Sequence, residues 1–154
     1  MIPFKCSLSR KLRYLQYKIL HNILGVNKYL KTVGILNLCS FCSKHSETIA
    51  HLFWECPFNR RFLDDFEKYT LKSEIMLSFN DFVFGIPGGN YSSFNFDILY
   101  AKYYIFSTRC LNGYLSFSSF KKKLKYQHEI ERVMNTQRNK CIVHLDGSRH
   151  IELI

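Results

Sequence analysis

The sequence predicts a mostly α fold: a small helical domain organised around three cysteines and a histidine, with a second helical hairpin behind it. Three observations lead there. Apolar side chains recur at steps of three and four over residues 8–33, 57–71 and 94–135, the spacing of one helix face. Helix punctuation accompanies them: Pro57 suits a first helical position, Ser78 precedes Asp81 as a cap, and Asn112-Gly113 closes a run. The third is the stretch CSFCSKHSETIAHLFWECP from Cys39 to Pro57, spaced C-x2-C-x8-H-x4-C. With 154 residues, the chain is long enough to own a core.

The first periodic run carries Leu8, Leu12, Leu15, Ile19, Ile23, Val26, Leu30 and Val33 on one stripe. Gly25-Val26-Asn27 is the expected break, and Gly34 the expected stop. Arg10, Arg13 and Tyr17 share another face, with Lys11 and Lys18 beside them. Cations interleaved with tyrosines suit phosphates and stacked bases, although a solvated face has the same composition. His21 reads as a structural or surface residue.

The cysteine stretch follows. Two residues between Cys39 and Cys42 let one turn aim both sulfurs at a single point, and thiolates are the soft donors that zinc favours. His51 and Cys56 complete a tetrahedron. In a regular helix, five positions turn by about 500°, so these two could not share a face. Pro57 answers this by pushing the residue before it out of the α region, so that Cys56 swings back. One structural Zn2+, with all four positions taken by protein, leaves no place for an activated water. The expected metal role is therefore folding, not catalysis, and no nucleophile is paired with a base to suggest an enzyme.

Two other chemistries stay open to these residues. Six cysteines make an even count that a disulfide framework could use. Against it, MIPFKCSLSRKLR has no secretory apolar region, and Cys6, Cys110 and Cys141 are scattered singly. A thioredoxin-like pair is the other, but CSFC lies in no βαβ pattern. His45 is the substitute for His51, disfavoured because ligands at 39, 42 and 45 would crowd one loop. Within the clip, Ile49, Leu52 and Phe53 should pack on the first helix. Trp54 reads as a core anchor more than a base-stacking ring, and Phe41 as the better exposed ring.

From Pro57 a helix should run to about Leu71, with Phe58, Phe62, Phe66 and Tyr69 inward and Arg60 and Arg61 outward. Asp64 and Asp65 read as solvated surface. PGGNYSS at 87–93 is the clearest linker, and 94–112 a buried helix with Cys110 in the core. The last helix should bring Phe117, Phe120 and Leu124 inward and turn Lys121, Lys122, Lys123 and Lys125 outward. CIVHLDGSRHIELI allows a short C-terminal β-hairpin about Asp146-Gly147, and its Cys141, His144 and His150 lack any CxxC-type pairing. The resulting division is a basic helical zinc-binding domain at 1–86, a linker at 87–93, a helical hairpin at 94–138 and a tail of uncertain structure at 139–154.

Charge is uneven. Residues 1–61 hold ten Lys and Arg against Glu47 and Glu55, while 62–154 hold twelve against ten acidic residues. Most of the net +10 therefore surrounds the candidate metal site, the footprint of polyanion binding. Arg10, Lys11, Arg13, Tyr17, Lys18, Phe41, Lys44, Arg60 and Arg61 are the candidate nucleic-acid contacts. A merely soluble basic surface is the alternative. The expected setting is a reducing compartment, cytoplasm or nucleus, with no membrane partner.

The combination of LRYLQYKILHNIL at 12–24, Leu30 to Gly34-Ile35, CSFC, ETIAHLFWECP and AKYYIF at 101–106 resembles the zinc-binding region at the C-terminal end of non-LTR (LINE-type) retrotransposon reverse transcriptases. The likeness spans roughly residues 8–135. It implies zinc ligation by Cys39, Cys42, His51 and Cys56, and a role in holding RNA or single-stranded DNA for an upstream polymerase body. Neither the polymerase palm nor an endonuclease is part of the likeness, so the expectation is a detached module, not an enzyme. The alternative is a docking module that packs on the polymerase without touching nucleic acid.

Overall fold

A computed structural model describes residues 6–30, 34, 36–70 and 76–148, with the backbone alone at 89 and 139–148. Helices α1 (Arg10–Leu20), α2 (Asn27–Leu30), α3 (Pro57–Thr70), α4 (Phe79–Phe84), α5 (Ser92–Cys110) and α6 (Phe117–Ser148) are joined by a π turn at His51–Glu55 and a 3-10 turn at Gly89–Tyr91. Among the described residues, β pairing is limited to one isolated bridge, Leu38 to Ser46. No described helix is long and apolar enough to cross a membrane.

The central helix is α5, whose Ile98, Leu99, Tyr100, Ala101, Tyr104 and Ile105 are buried on nearly every side. Leu12, Leu15 and Ile19 of α1, Phe62, Leu63 and Phe66 of α3, Phe82 of α4, and Phe120 and Leu124 of α6 join the same apolar cluster. Leu52 and Phe53 enter it from the π turn, with Ile49 partly buried against it. Side chains from both sides of 87–93 thus meet in one cluster. Its heart is aromatic: Phe120 stands edge-on to Phe62 and Phe66, at centroid distances of 5.2 and 5.8 Å. Edge-to-face geometry sets the positive ring edge against the negative face.

Several boundaries differ from the periodic reading. The first helix stops at Leu20, because Asn22 turns left-handed at φ 55° and Ile23 N–H returns to Lys18 O. Asparagine tolerates that region, so it ends the helix before Gly25 can. The chain then buries Leu24 and Val26 and exposes Ile23. Gly34 does turn with positive φ, and Val33 lies outside the described residues. Pro57 opens α3 as expected, but the inward face is Asn59, Phe62, Leu63 and Phe66, while Phe58 and Tyr69 are exposed. A buried Leu63 rotates the stripe away from both ends. Cys110 is exposed, since α5 runs off the core in its last turn, where Leu111 is exposed as well. Residues 141–148, the first arm and turn of the expected hairpin, instead prolong α6; residues 149–154 lie outside the described set. An isolated two-stranded ribbon gains little, whereas extending a nucleated helix adds one bond per residue.

Two buried polar devices tie the helices together. Glu131 of α6 accepts from Leu8 N at 2.9 Å, Ser9 N at 3.2 Å and Ser7 Oγ at 2.5 Å, capping α1 with a carboxylate from another helix. Lys102 of α5 is wholly buried; its Nζ reaches Gln16 Oε1 at 2.5 Å and Val83 O at 3.2 Å. Burial pushes its pKa down to about 7. A neutral amine has two N–H groups for those two acceptors. Between pH 7 and the ordinary lysine range, the unfolded chain binds a proton that the folded chain does not, so stability rises with pH there. Lys102→Met should flatten this rise, by at most about 1.4 kcal/mol per pH unit. Denaturant unfolding of both proteins from pH 7 to 10 measures it, and equal slopes would show that the amine stays charged when folded.

Candidate metal centre

The site is assembled by a bend, a short helical turn and an abrupt exit. In the bend, Ser43 turns left-handed at φ 53°, Ser43 N–H bonds Cys39 O at 2.8 Å, and Cys39 N–H bonds His45 O at 2.8 Å. These bonds fold CSFC back on itself and aim both sulfurs inward. Thr48 Oγ1 accepts from His51 N at 2.9 Å, fixing the entry to the turn that carries the imidazole.

The turn itself resolves the rotation problem in a way the spacing does not reveal. Cys56 N–H bonds His51 O at 2.9 Å, an i→i+5 closure that brings the fifth residue nearly over the first. The wider turn absorbs the extra residue that a regular helix would carry round to another side. Cys56 then leaves in extended conformation at φ −64°, ψ 123°, as the following proline requires. The Asn59 side-chain amide bonds Leu52 O and braces the turn from α3.

Cys39, Cys42, His51 and Cys56 are all buried, and their donor atoms lie within 4.8 Å of one another. A tetrahedron with Zn–S near 2.3 Å and Zn–N near 2.0 Å places sulfurs about 3.8 Å apart and a sulfur and nitrogen about 3.5 Å apart. Cys39 Sγ and Cys56 Sγ are 3.8 Å apart, and Cys42 Sγ and His51 Nε2 are 3.4 Å apart. The donor set and these two edges fit one zinc ion. His45 Nδ1 also lies 3.8 Å from Cys42 Sγ, but its side chain is exposed and it stands outside the quartet.

Cys56 and His51 shift toward the forms that bind a metal, and Cys39 shifts away from it. The hydrogen bond from Cys39 holds the Cys56 thiol below its ordinary range; burial opposes this, and the amides of Phe58 and Asn59 assist it. Cys39 moves upward, because it gives that bond and because it is buried. Burial, with His45 nearby, lowers His51 and favours the neutral imidazole that binds metals.

Behind the donors stands a buried carboxylate that sequence reasoning counts only as charge. Glu47 Oε1 accepts from Asn27 N at 2.9 Å and Oε2 from Ser40 N at 2.8 Å. Arg109 of α5 donates to Oε1 through Nη2 at 2.7 Å and Nε at 3.1 Å, and to Asn27 Oδ1 at 2.6 Å. One ion pair thus joins α2, the cysteine bend and the end of α5. Asn59, Thr48 and Arg109 are likewise supporting residues that nothing local in the sequence marks.

The candidate nucleic-acid contacts are not all brought together. Arg10, Lys11, Arg13 and Tyr17 are exposed on α1, with Lys11 Nζ 5.0 Å from the Tyr103 ring and Lys18 Nζ 4.4 Å from that of Tyr14. Lys44 is exposed on the bend and Arg61 on α3. Lys102 of α5 meets Gln16 of α1, whereas Tyr104 meets Phe62 of α3. Two residues turn a helix by about 200°, so α1 and α3 occupy different flanks of α5. Arg60 is already engaged by Asp64 at 2.8 Å, Glu67 at 3.2 Å and the Trp54 ring at 5.1 Å. Phe41 is half-buried against the sulfur cluster, not a free ring. Trp54 packs on Phe79 and Phe82, the anchoring role expected of it.

A family model described as zinc-binding in reverse transcriptase matches residues 1–62, a span that includes α1 and all four donors. The matched model is a zinc-binding region, not the catalytic polymerase domain. No curated protein and no solved structure matches the chain.

Proposed function

We propose that this chain is a zinc-folded nucleic-acid-binding module of the LINE-type reverse transcriptase class, holding RNA or single-stranded DNA for a polymerase body that lies elsewhere. The single observation that carries this reading is a set of cations on α1, the cysteine bend and α3 that have no carboxylate partner among the described residues. Among the described residues, no carboxylate pairs with Arg10, Lys11, Arg13, Lys18, Lys44 or Arg61, while Arg60, Arg109 and Arg132 are all paired. Cations left without a carboxylate partner are available to phosphates, and tyrosines beside them tolerate any base. The closed donor set gives the metal a structural role, and catalysis is not part of the proposal.

Binding to single strands should fall steeply with salt. Arg10→Ala, Arg13→Ala and Lys18→Ala together should lower the slope of log affinity against log salt by up to about 0.7 for each phosphate left unneutralised. Anisotropy titrations with labelled RNA and DNA across a salt series test this. A flat salt response, or no binding at low salt, rejects the reading. Retention on a polymerase body without any on nucleic acid selects a docking module instead.

A further inference from the structure

A pocket of about 400 Å³ opens between Tyr69 in the last turn of α3, Asp97 near the start of α5 and one side of α6. From α6 it takes Lys121, Lys122, Lys125, His128 and Glu129, whose steps of three and four place them on a shared side of the helix. The volume lies within the range of small-molecule sites.

Charge in this pocket is unbalanced. Among the described residues no carboxylate pairs with Lys121, Lys122 or Lys125, while Glu129 is taken by Arg132 at 2.9 Å and Asp97 by His128 at 2.7 Å. Lys121 Nζ stands 5.4 and 5.7 Å from the ring centroids of Phe117 and Tyr69, which hold its ammonium at the wall. Buried Leu124 lies beneath.

His128 separates this pocket from an ordinary solvated lysine face. Asp97, only 16% exposed, accepts from Nε2, and the Phe96 ring centroid is 4.7 Å from that of the imidazole. These contacts fix the ring yet leave it 41% exposed, and among the described residues Nδ1 has no hydrogen-bond partner. The bond to Asp97 raises the His128 pKa above its ordinary 6.5 against the effect of burial, and the charges of Glu131 and Glu129 add to the rise. The charged imidazole carries a second N–H at Nδ1, oriented and unspent, beside three ammonium groups. Charge-assisted donors of this kind suit a tetrahedral oxyanion.

We infer that this pocket binds a phosphate group, with Lys121, Lys122 and Lys125 supplying charge and His128 Nδ1 donating a hydrogen bond. A phosphate within a bound strand and a free phosphate present the same oxygens to these groups. The inference stands apart from the cations of α1, since inorganic phosphate tests it without any strand.

The test uses the full zinc-loaded chain at low salt, with inorganic phosphate, sulfate and a short single strand as probes. The His128 ring signals in NMR spectra, assigned with His128→Gln, should shift on addition of inorganic phosphate and saturate. Lys122→Ala and Lys125→Ala, both at exposed positions, should each weaken that binding about fivefold, the effect of one nearby charge removed in a solvated setting. Lys123→Ala should leave it unchanged, because Lys123 lies over the Tyr104 ring at 5.4 Å and does not line the pocket. Sulfate keeps its charge from pH 6 to 9, so its affinity should fall with rising pH in wild type as His128 loses its proton, and stay level in His128→Gln. If the single strand shifts the same signals, and the two lysine changes together lower its log–log salt slope by up to about 0.7 per phosphate, the ligand is a strand phosphate; a response to inorganic phosphate alone identifies a free one. Circular dichroism checks that the variants fold. His128 signals that move with neither phosphate nor strand, or equal losses in Lys122→Ala and Lys123→Ala, overturn the inference.

Discussion

Cys56→Ser should abolish zinc binding and cost on the order of 5 kcal/mol or more of stability. The wild-type protein should carry one zinc per chain by elemental analysis, and the Cys39→Ser and Cys56→Ser proteins none. The magnitude follows from linkage. Structural zinc contributes about 10–16 kcal/mol of binding free energy in small zinc modules, and that energy is folding energy wherever the site does not preform. Here part of the fold should outlast the metal, because α3, α5 and α6 share an aromatic cluster away from the sulfurs. Chelation should therefore melt the bend and π turn before the helices. Two histidine variants sharpen the test. His51→Ala should behave like the cysteine variants, whereas His45→Ala should keep its full metal content, because His45 stands outside the quartet. Wild-type protein purified without zinc, or metal retained in Cys56→Ser, would remove the basis for a metal-held fold.

Arg109→Met should cost about 3–5 kcal/mol, because it strands a buried carboxylate. The pair is 2.7 Å long, and Glu47 is fully buried. Glu47→Gln with Arg109→Met should cost clearly less than the two single changes added together, as apolar or neutral replacement of both partners spares the desolvation of either charge. The pH response has a fixed sign. Burial raises the Glu47 pKa, but the amides of Ser40 and Asn27 and the Arg109 guanidinium outweigh it, so the net shift is downward. Its contribution is present above the unfolded carboxylate range near pH 4.5 and is lost as pH falls through the folded value. Acid unfolding of wild type should thus include a component that Glu47→Gln lacks. Identical acid profiles would mean that the carboxylate is solvated after all.

What is legible in the chain is what depends on neighbours in sequence. Pro57 marks the start of α3, and Ser78 with Asp81 forms the full reciprocal cap that opens α4. Phe120 and Leu124 point inward while the lysines beside them face water. The four donors can be chosen because convergence on one metal is itself a geometric demand, and His51 wins over His45 on crowding alone. The π turn is hidden because i→i+4 and i→i+5 closures use the same residues and differ by one hydrogen-bond step. Only the mismatch between a five-residue step and a common target hints at it.

The illegible part is tertiary. Glu47 and Arg109 are far apart in the chain, as are Glu131 and the α1 terminus it caps. A glutamate beside a metal motif looks like solvated charge until a guanidinium from another helix covers it. Lys102 lies in a run that reads as apolar, and only the Gln16 and Val83 oxygens across the helix interface show why a lysine is held there. Phe58 and Tyr69 obey the inward spacing yet are exposed, because Leu63 sets the rotation of α3.

Trp54, the chain's single indole, sits inside the turn between the third and fourth donors, wedged against Phe79 and Phe82 beneath the Arg60 guanidinium. Light emitted by this protein on tryptophan excitation therefore originates from one place. Loosening of that turn alters the fluorophore's surroundings directly, while changes at the far end of α6 leave them untouched. The molecule carries its own optical gauge for the region where its shape is decided.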